Sequence, residues 1–378
     1  MCYLDNSATT RPSRPVVESV TKSMTEGFYN PSALYSPAVA AEKEITACRK
    51  LIRAELNADS VVFVSGGTEA NNLAILGTML QKRDRGSVLF SAVEHPSVRE
   101  ACLRLKSQGH DVKEIPVDAR GIIDLEAFQS ILSPDTRLIC VMHVNNETGA
   151  VQPIGEMSLL RQTYCPQALL HVDGVQGFLR VPLSMTQWNV DSYSLSAHKI
   201  HGPKGIGALA LRGRKAPSPL MLGGGQEGNI RSGTENTPGI AGLQAAVENY
   251  PLANNMHALK MKLFSALRSA IPAIRVNGPA PDSPSAAPHI LNVSFPPVRS
   301  ETMLHALETK KVYVGIGSAC STRKKQTSTV LSAMNVPADQ AQSAIRFSLN
   351  PYITEKEIDF AADACAQQYS VLCRFERR

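Results

Sequence analysis

The chain has 378 residues, 43% of them hydrophobic and 19% charged, an ordinary globular composition with ample material for a core. Lys and Arg number 39 against 33 Asp and Glu, a formal charge of +6 that is too mild over this length to argue for direct nucleic-acid binding. No run of about 18 apolar residues occurs, which argues against a membrane span, and the start Met1-Cys2-Tyr3-Leu4-Asp5-Asn6 has neither a basic nor an apolar leader. The eight cysteines (Cys2, Cys48, Cys102, Cys140, Cys165, Cys320, Cys365 and Cys373) form no C-x-x-C pair. They read as reduced thiols of a cytoplasmic protein rather than as disulfides or a zinc site.

In chain order, residues 60–64 predict a short β-branched strand that breaks at Ser65-Gly66-Gly67-Thr68, and 69–76 predict a helix. Apolar runs at 87–90, 137–144, 168–172, 191–195 and 206–211 predict further strands. Several end in residues able to do chemistry: Glu94-His95, Asn145-Asn146-Glu147, Asp173 and His198-Lys199. Buried strands alternating with helices predict an α/β fold, a mostly parallel sheet flanked by helices. In such sheets a ligand lies beyond the carboxyl ends of the strands, where these polar residues fall. Gly223-Gly224-Gly225-Gln226-Glu227 opens a turn-rich loop, and a helical pattern runs from Gly239 to about Ala270, interrupted by Pro251. Beyond it, strands at 289–295, 312–314 and 345–349 and a closing helix from Thr354 predict a smaller α/β unit. The expected division is a large domain of residues 15–250 and a small domain of residues 1–14 with 251–378.

Lys199 lies in the polar loop Ser196-Ala197-His198-Lys199-Ile200-His201-Gly202-Pro203. Asp173 closes the run 168–172, with Gln176 one turn on. A lysine can hold an aldehyde as a Schiff base, and an acid at the end of a buried strand can pair with a protonated pyridine nitrogen. Together they are what a pyridoxal 5'-phosphate site needs. A solvated surface lysine is the plain alternative. Gly66-Gly67-Thr68 joins a strand to a helix N-terminus, where backbone N–H groups and the helix dipole favour an anion. Thr68, Ser196 and His198 would add donors, and the alternative is an ordinary turn with Thr68 as N-cap. His95 is either a hydrogen-bonded structural residue or the aromatic that stacks on a pyridine face and moves a proton. Arg346, a charge inside the apolar run Ile345-Arg346-Phe347, must meet an anion. That anion is a substrate carboxylate held bidentately or a glutamate of the chain. Cys320 sits in Gly317-Ser318-Ala319-Cys320-Ser321-Thr322-Arg323-Lys324-Lys325, where glycine, serine and three cations favour an exposed thiolate over buried filler.

Taken in order, several long motifs resemble those of the cysteine desulfurases of the NifS/IscS type, fold type I pyridoxal phosphate enzymes of the class V aminotransferase group. They are Tyr3-Leu4-Asp5-Asn6-Ser7-Ala8-Thr9-Thr10, Ser65-Gly66-Gly67-Thr68-Glu69-Ala70-Asn71-Asn72, Val144-Asn145-Asn146-Glu147-Thr148-Gly149, His171-Val172-Asp173-Gly174-Val175-Gln176, Ser196-Ala197-His198-Lys199, Arg231-Ser232-Gly233-Thr234-Glu235-Asn236, Gly317-Ser318-Ala319-Cys320-Ser321 and Ile345-Arg346-Phe347-Ser348. The cysteine loop is closer to this branch than to the SufS branch.

The resemblance implies that Lys199 binds the cofactor aldehyde, Asp173 the pyridine nitrogen and Gln176 the ring hydroxyl oxygen. It implies that His95 stacks on the ring and assists proton transfer, and that Gly67, Thr68, Ser196 and His198 hold the phosphate. Thr234 would reach the phosphate of a partner subunit in a homodimer. Asn146 would lie beside the cofactor ring and, with Arg346, bind the carboxylate of L-cysteine, and Cys320 would take its sulfur as a persulfide, leaving L-alanine. The sulfur acceptor would be an iron–sulfur scaffold or a tRNA-thiolation enzyme. A selenocysteine lyase or cysteine/cystine C–S lyase on the same fold, and a sulfur-carrier or scaffold protein with little turnover, are the alternatives. Departures from the family pattern fall at Tyr29-Asn30-Pro31-Ser32-Ala33-Leu34-Tyr35, at Gly228-Asn229-Ile230, in the basic run after Cys320, and in a C-terminus that looks short for the branch.

Overall fold

The apolar runs pair into one central sheet. In the computed structural model, which describes residues 1–81, 86–213, 216–317 and 328–375, strand β1 (Cys2–Tyr3) is followed by β2 (Ser60–Val64), β3 (Ser87–Ser91), β4 (Val112–Ile115), β5 (Thr136–Met142), β6 (Leu169–Asp173), β7 (Ser192–Ser196) and β8 (Gly207–Leu211). The last seven form a seven-stranded sheet in the order β2-β8-β7-β6-β5-β3-β4. Neighbours from β4 through β7 are parallel, while β8 runs antiparallel to both β7 and β2. The carboxyl ends of β2, β3, β5, β6 and β7 therefore share one edge. Strands β3 and β8 are buried along their whole length, as expected of strands covered on both faces.

The helix expected at 69–76 begins at Gly67 and passes through a π-type turn at Leu73–Gly77 to Leu80. The pattern expected from Gly239 to about Ala270 is two helices, Thr237–Glu248 and Met256–Ala270, with Pro251 in the break. Strand β4 was not expected: its middle residues, Lys113 and Glu114, are exposed at the sheet edge, so it carries no apolar run.

The rest of the chain adds β9 (Arg275–Val276), β10 (Ile290–Ser294), β11 (Val312–Tyr313) and β12 (Ala344–Ser348). Strand β10 lies antiparallel between β9 and β12, and β1 pairs in parallel with β11. Apolar side chains at helical spacing, Leu259, Leu263 and Leu267, turn inward from helix Met256–Ala270. They meet Met303 and Leu307, and Ile358, Ala361 and Cys365 of the closing helix Glu355–Phe375, in a cluster that also takes in Cys2 and Leu4. A larger cluster draws on residues between Val16 and Tyr250 under the seven-stranded sheet. The first residues of the chain thus pack with its last third, and the segment after them crosses the carboxyl edge of the large sheet. No helix among the described residues is long and apolar enough to cross a membrane.

Candidate active site

Lys199 ends the short 3₁₀ turn Ala197–Lys199 that leaves β7. Its Nζ donates to the backbone carbonyls of Ser7 and Ala8, the latter at 2.8 Å, so the crossing N-terminal segment covers it. Burial, then the nearby cations Arg346 and Arg180, lower the amine to about 7. Arg180 donates from Nη2 to the Lys199 carbonyl and from Nη1 to the Gln176 carbonyl, and so ties the lysine turn to the segment after β6.

Asp173, buried at the end of β6, accepts the Val175 N–H at Oδ1 (3.0 Å) and the Asn71 amide at Oδ2 (2.7 Å). Among the described residues it has no cationic partner within ion-pair distance. Gln176, also buried, donates from Nε2 to the Ser7 carbonyl at 3.0 Å, so Ser7 receives both Gln176 and Lys199. His95 precedes helix Pro96–Ser107 as its N-cap, with Nδ1 accepting the Ser97 N–H at 3.1 Å. The reading of His95 as a hydrogen-bonded structural residue is therefore met. Burial, opposed by Asp173 and reinforced by Lys199, lowers its pKa, so the ring is neutral at pH 7. Its neighbour Glu94 is pushed well above the usual carboxyl range by burial, and accepts the Met142 N–H at 2.6 Å.

The glycine turn after β2 approaches the exit of β7. A Cβ on Gly67 would lie 2.6 Å from Val175 Cγ2, so a larger residue would force the segment after Asp173 to shift. The Ser196 hydroxyl lies 3.7 Å from where a Gly66 Cβ would be. The helix cap is Gly66, not Thr68. Thr68 and His95 line one surface hollow of about 400 Å³ with Asn72, Pro96 and Arg104. His198 Nδ1 lies 3.1 Å from Thr9 Oγ1, and burial with Lys199 nearby lowers its pKa to about 4, so it is neutral. Thr234 is exposed in the turn before helix Thr237–Glu248 and makes no hydrogen bond with this cluster.

Arg346, in the middle of β12, is buried. Its Nη2 meets Asp5 Oδ1 at 2.7 Å and its Nη1 donates to the Asn146 carbonyl at 3.0 Å, while Nε has no partner among the described residues. The internal counter-ion is therefore Asp5, not a glutamate. Glu147, a glutamate that also feels the Arg346 charge, is engaged by the Ser328 hydroxyl at 2.5 Å. Gly315 lets the pair form: a Cβ there would sit 2.7 Å from both Arg346 Nη2 and Asp5 Oδ1. Asn146 is partly exposed, and its carboxamide makes no hydrogen bond among the described residues, whereas Asn145 is consumed by Val93, Glu147 and Thr148. Cys320 and the basic run after it lie outside the described residues.

Lys199, Asp173, Gln176, Ser196, His198, His95, Thr68 and Arg346 thus gather along one sheet edge. Sequence reasoning missed Asp5, Ser7, Asn71, Ser97 and Arg180. Asp5 and Ser7 stand in the first motif, whose repeated small and polar residues were the signal. Asn71 and Ser97 are neutral and look like ordinary helix residues.

Residues 2–360 match the aminotransferase class-V family. The chain is 36% identical over 369 residues to the cysteine desulfurase IscS of Dictyoglomus turgidum, covering 96% of this chain and 92% of that one. It is 37% identical to the cysteine desulfurase NifS of Azotobacter vinelandii, covering 94% and 90%. A solved structure described as a NifS-like protein superposes with a TM-score of 0.90 at 34% identity, covering 98% of this chain and all of the other. The chain belongs to the class-V aminotransferase family, whose members depend on pyridoxal 5'-phosphate, and within it to the group of the cysteine desulfurases.

Proposed function

We propose that this chain is a cysteine desulfurase that converts L-cysteine to L-alanine and passes the sulfur to Cys320 as a persulfide. The observation that carries this reading is the pairing, on one sheet edge, of a lysine amine held near neutrality with a buried carboxylate that has no cationic partner among the described residues. That donor set fits pyridoxal phosphate. A buried carboxylate without a counter-ion is costly, and a pyridinium nitrogen would supply one. Lys199 would bind the aldehyde carbon, Asp173 the ring nitrogen and Gln176 the ring hydroxyl oxygen. Gly67, Thr68, Ser196 and the neutral His198 would hold the phosphate. Bound there, the cofactor supplies an electron sink for charge developing at the substrate Cα.

The chain's own groups do the rest. Arg346 and Asn146 would hold the substrate carboxylate, with Arg346 kept in place by Asp5. Lys199 Nζ, about half of it uncharged at pH 7, would be the base at Cα. His95 would lie against the ring. The Cys320 thiolate attacks the substrate sulfur: the substrate C–S bond breaks, an S–S bond forms, and the substrate carbon takes a proton to end as the methyl of alanine. Incubation with L-cysteine tests this by product. Alanine with one persulfide per Cys320 is the expected outcome. Pyruvate and free sulfide without a protein persulfide would identify a C–S lyase instead.

The division into a large unit, 15–250, and a small unit, 1–14 with 251–378, belongs to this proposal. The two apolar clusters support it. A homodimer in which Thr234 serves the partner's phosphate end also belongs to this proposal, and exposed apolar side chains support it: Leu34 is 96% exposed and Leu222 83%, with Tyr35 and Met221 beside them in sequence. An iron–sulfur scaffold protein or a tRNA-thiolation enzyme would receive the sulfur, in the cytoplasm.

A further inference from the structure

Asn71, in helix Gly67–Asn72, is fully buried and has no part in the chemistry above. Its carboxamide joins three side chains. Nδ2 donates to Asp173 Oδ2 at 2.7 Å and to Ser97 Oγ at 2.8 Å, and Oδ1 lies 3.0 Å from His171 Nε2. His171 Nδ1 lies 2.9 Å from Ser192 Oγ. An amide oxygen can only accept, so His171 carries its proton on Nε2, and its Nδ1 takes the Ser192 hydroxyl. The amide has one workable orientation. Flipped, it would set its oxygen against the Asp173 carboxylate.

Two consequences run outward from this junction. Asp173 has one oxygen on the Val175 N–H and the other on Asn71, which fixes the rotation of its carboxylate. On the other branch, Ser97 Oγ has accepted the Asn71 N–H and turns its own proton to His95 Nδ1, 2.8 Å away. That nitrogen also takes the Ser97 backbone N–H, so it is a lone pair and the neutral ring keeps its proton on Nε2. His95 then enters any proton transfer as a donor at Nε2.

We propose that Asn71 is a positioning residue that sets the rotamer of the Asp173 carboxylate, with His171 and Ser192 holding its amide in the required orientation. The inference rests on the reading of Asp173 as a group facing the cofactor. It differs from a packing role, because it predicts a loss of cofactor affinity in Asn71→Asp, which keeps the side-chain volume, together with a change at the His171 ring.

The test compares Asn71→Ala, Asn71→Asp and Ser97→Ala with wild type. Asn71→Asp keeps the shape but cannot donate to Asp173, and it serves if the alanine variant does not fold. Ser97→Ala cuts only the branch to His95. ¹⁵N spectra of the histidine rings, recorded without cofactor, report the tautomer, and titration with pyridoxal phosphate reports affinity. The Asn71 variants should shift the His171 ring nitrogens, whose Nε2–H loses the amide oxygen, while His95 keeps its Nε2–H pattern in all three because the Ser97 backbone N–H still donates to Nδ1. Only the Asn71 variants should weaken cofactor binding, by about tenfold or more, the loss of one hydrogen bond to a charged group. Cofactor affinity unchanged in a folded Asn71 variant would overturn the assignment. A wild type that takes up no cofactor would overturn the reading beneath it, and the same titration distinguishes the two failures.

Discussion

A lysine amine lowered to about 7 has a consequence for stability as well as for chemistry. In the unfolded chain the same amine stays protonated up to its ordinary value of 10.5. Between those two values the unfolded state binds the extra proton, so the stability of the cofactor-free protein rises with pH across that window. Below it both states are protonated, and above it neither is. Lys199→Met should flatten that rise, measured by denaturant unfolding at pH 7 and pH 9. A slope unchanged by the substitution would place the lysine in water. The Arg346–Asp5 pair gives a second test. Asp5→Ala leaves a buried guanidinium short of an acceptor and should cost about 1.5–3 kcal/mol, with a rise in KM for L-cysteine as Arg346 loses its place. Gly315→Ala should do the same by pushing the two groups apart, and a wild-type KM in both variants would contradict the pairing.

Residues with strong chemical character, such as Lys199, Asp173 and Arg346, were legible in the sequence because a charge beside an apolar run has few explanations. Asp5 was not identified as the counter-ion of Arg346, since 341 residues separate them and only the fold brings them together. Nor was Asn71, whose importance lies in a junction that spacing does not reveal.

Among the elements, the buried strands were the most legible, because both faces of the sheet are covered and an unbroken apolar run results. Strand β4 escaped for the opposite reason: Lys113 and Glu114 face outward at the edge. The antiparallel direction of β8 could not be read from composition at all, since parallel and antiparallel buried strands carry similar residues. Helix Met256–Ala270 holds a feature that amphipathic pattern alone would have ruled out. Lys260 is fully buried in it, with Nζ donating to the Ala287 carbonyl at 2.9 Å and burial lowering it to about 8. It too is neutral in the folded state at high pH, so its contribution to stability also rises from about pH 8 upward. A lysine held this way is costly near neutral pH. Lys260→Met should therefore match or exceed wild-type stability at pH 7, read from the denaturation midpoint. A clear loss would show that the hydrogen bond to Ala287 outweighs desolvation.

For the whole molecule, two apolar clusters meet across a site to which both contribute. The large sheet offers Lys199, Asp173 and His95, and β12 offers Arg346. The first ten residues run from one cluster to the edge of the other and place Asp5, Ser7 and Ala8 against the lysine and the arginine. The proposed homodimer would bury Leu222, so Leu222→Asp should shift sedimentation from dimer to monomer. An unchanged dimer would move the interface elsewhere. The central claim is that sulfur leaves L-cysteine onto Cys320. Its most direct measurement is alanine formation from L-cysteine by wild type and Cys320→Ala, both loaded with pyridoxal phosphate. The account predicts alanine from wild type and none above background from Cys320→Ala, with cofactor absorbance equal in the two. Alanine formed at the wild-type rate by Cys320→Ala would contradict it.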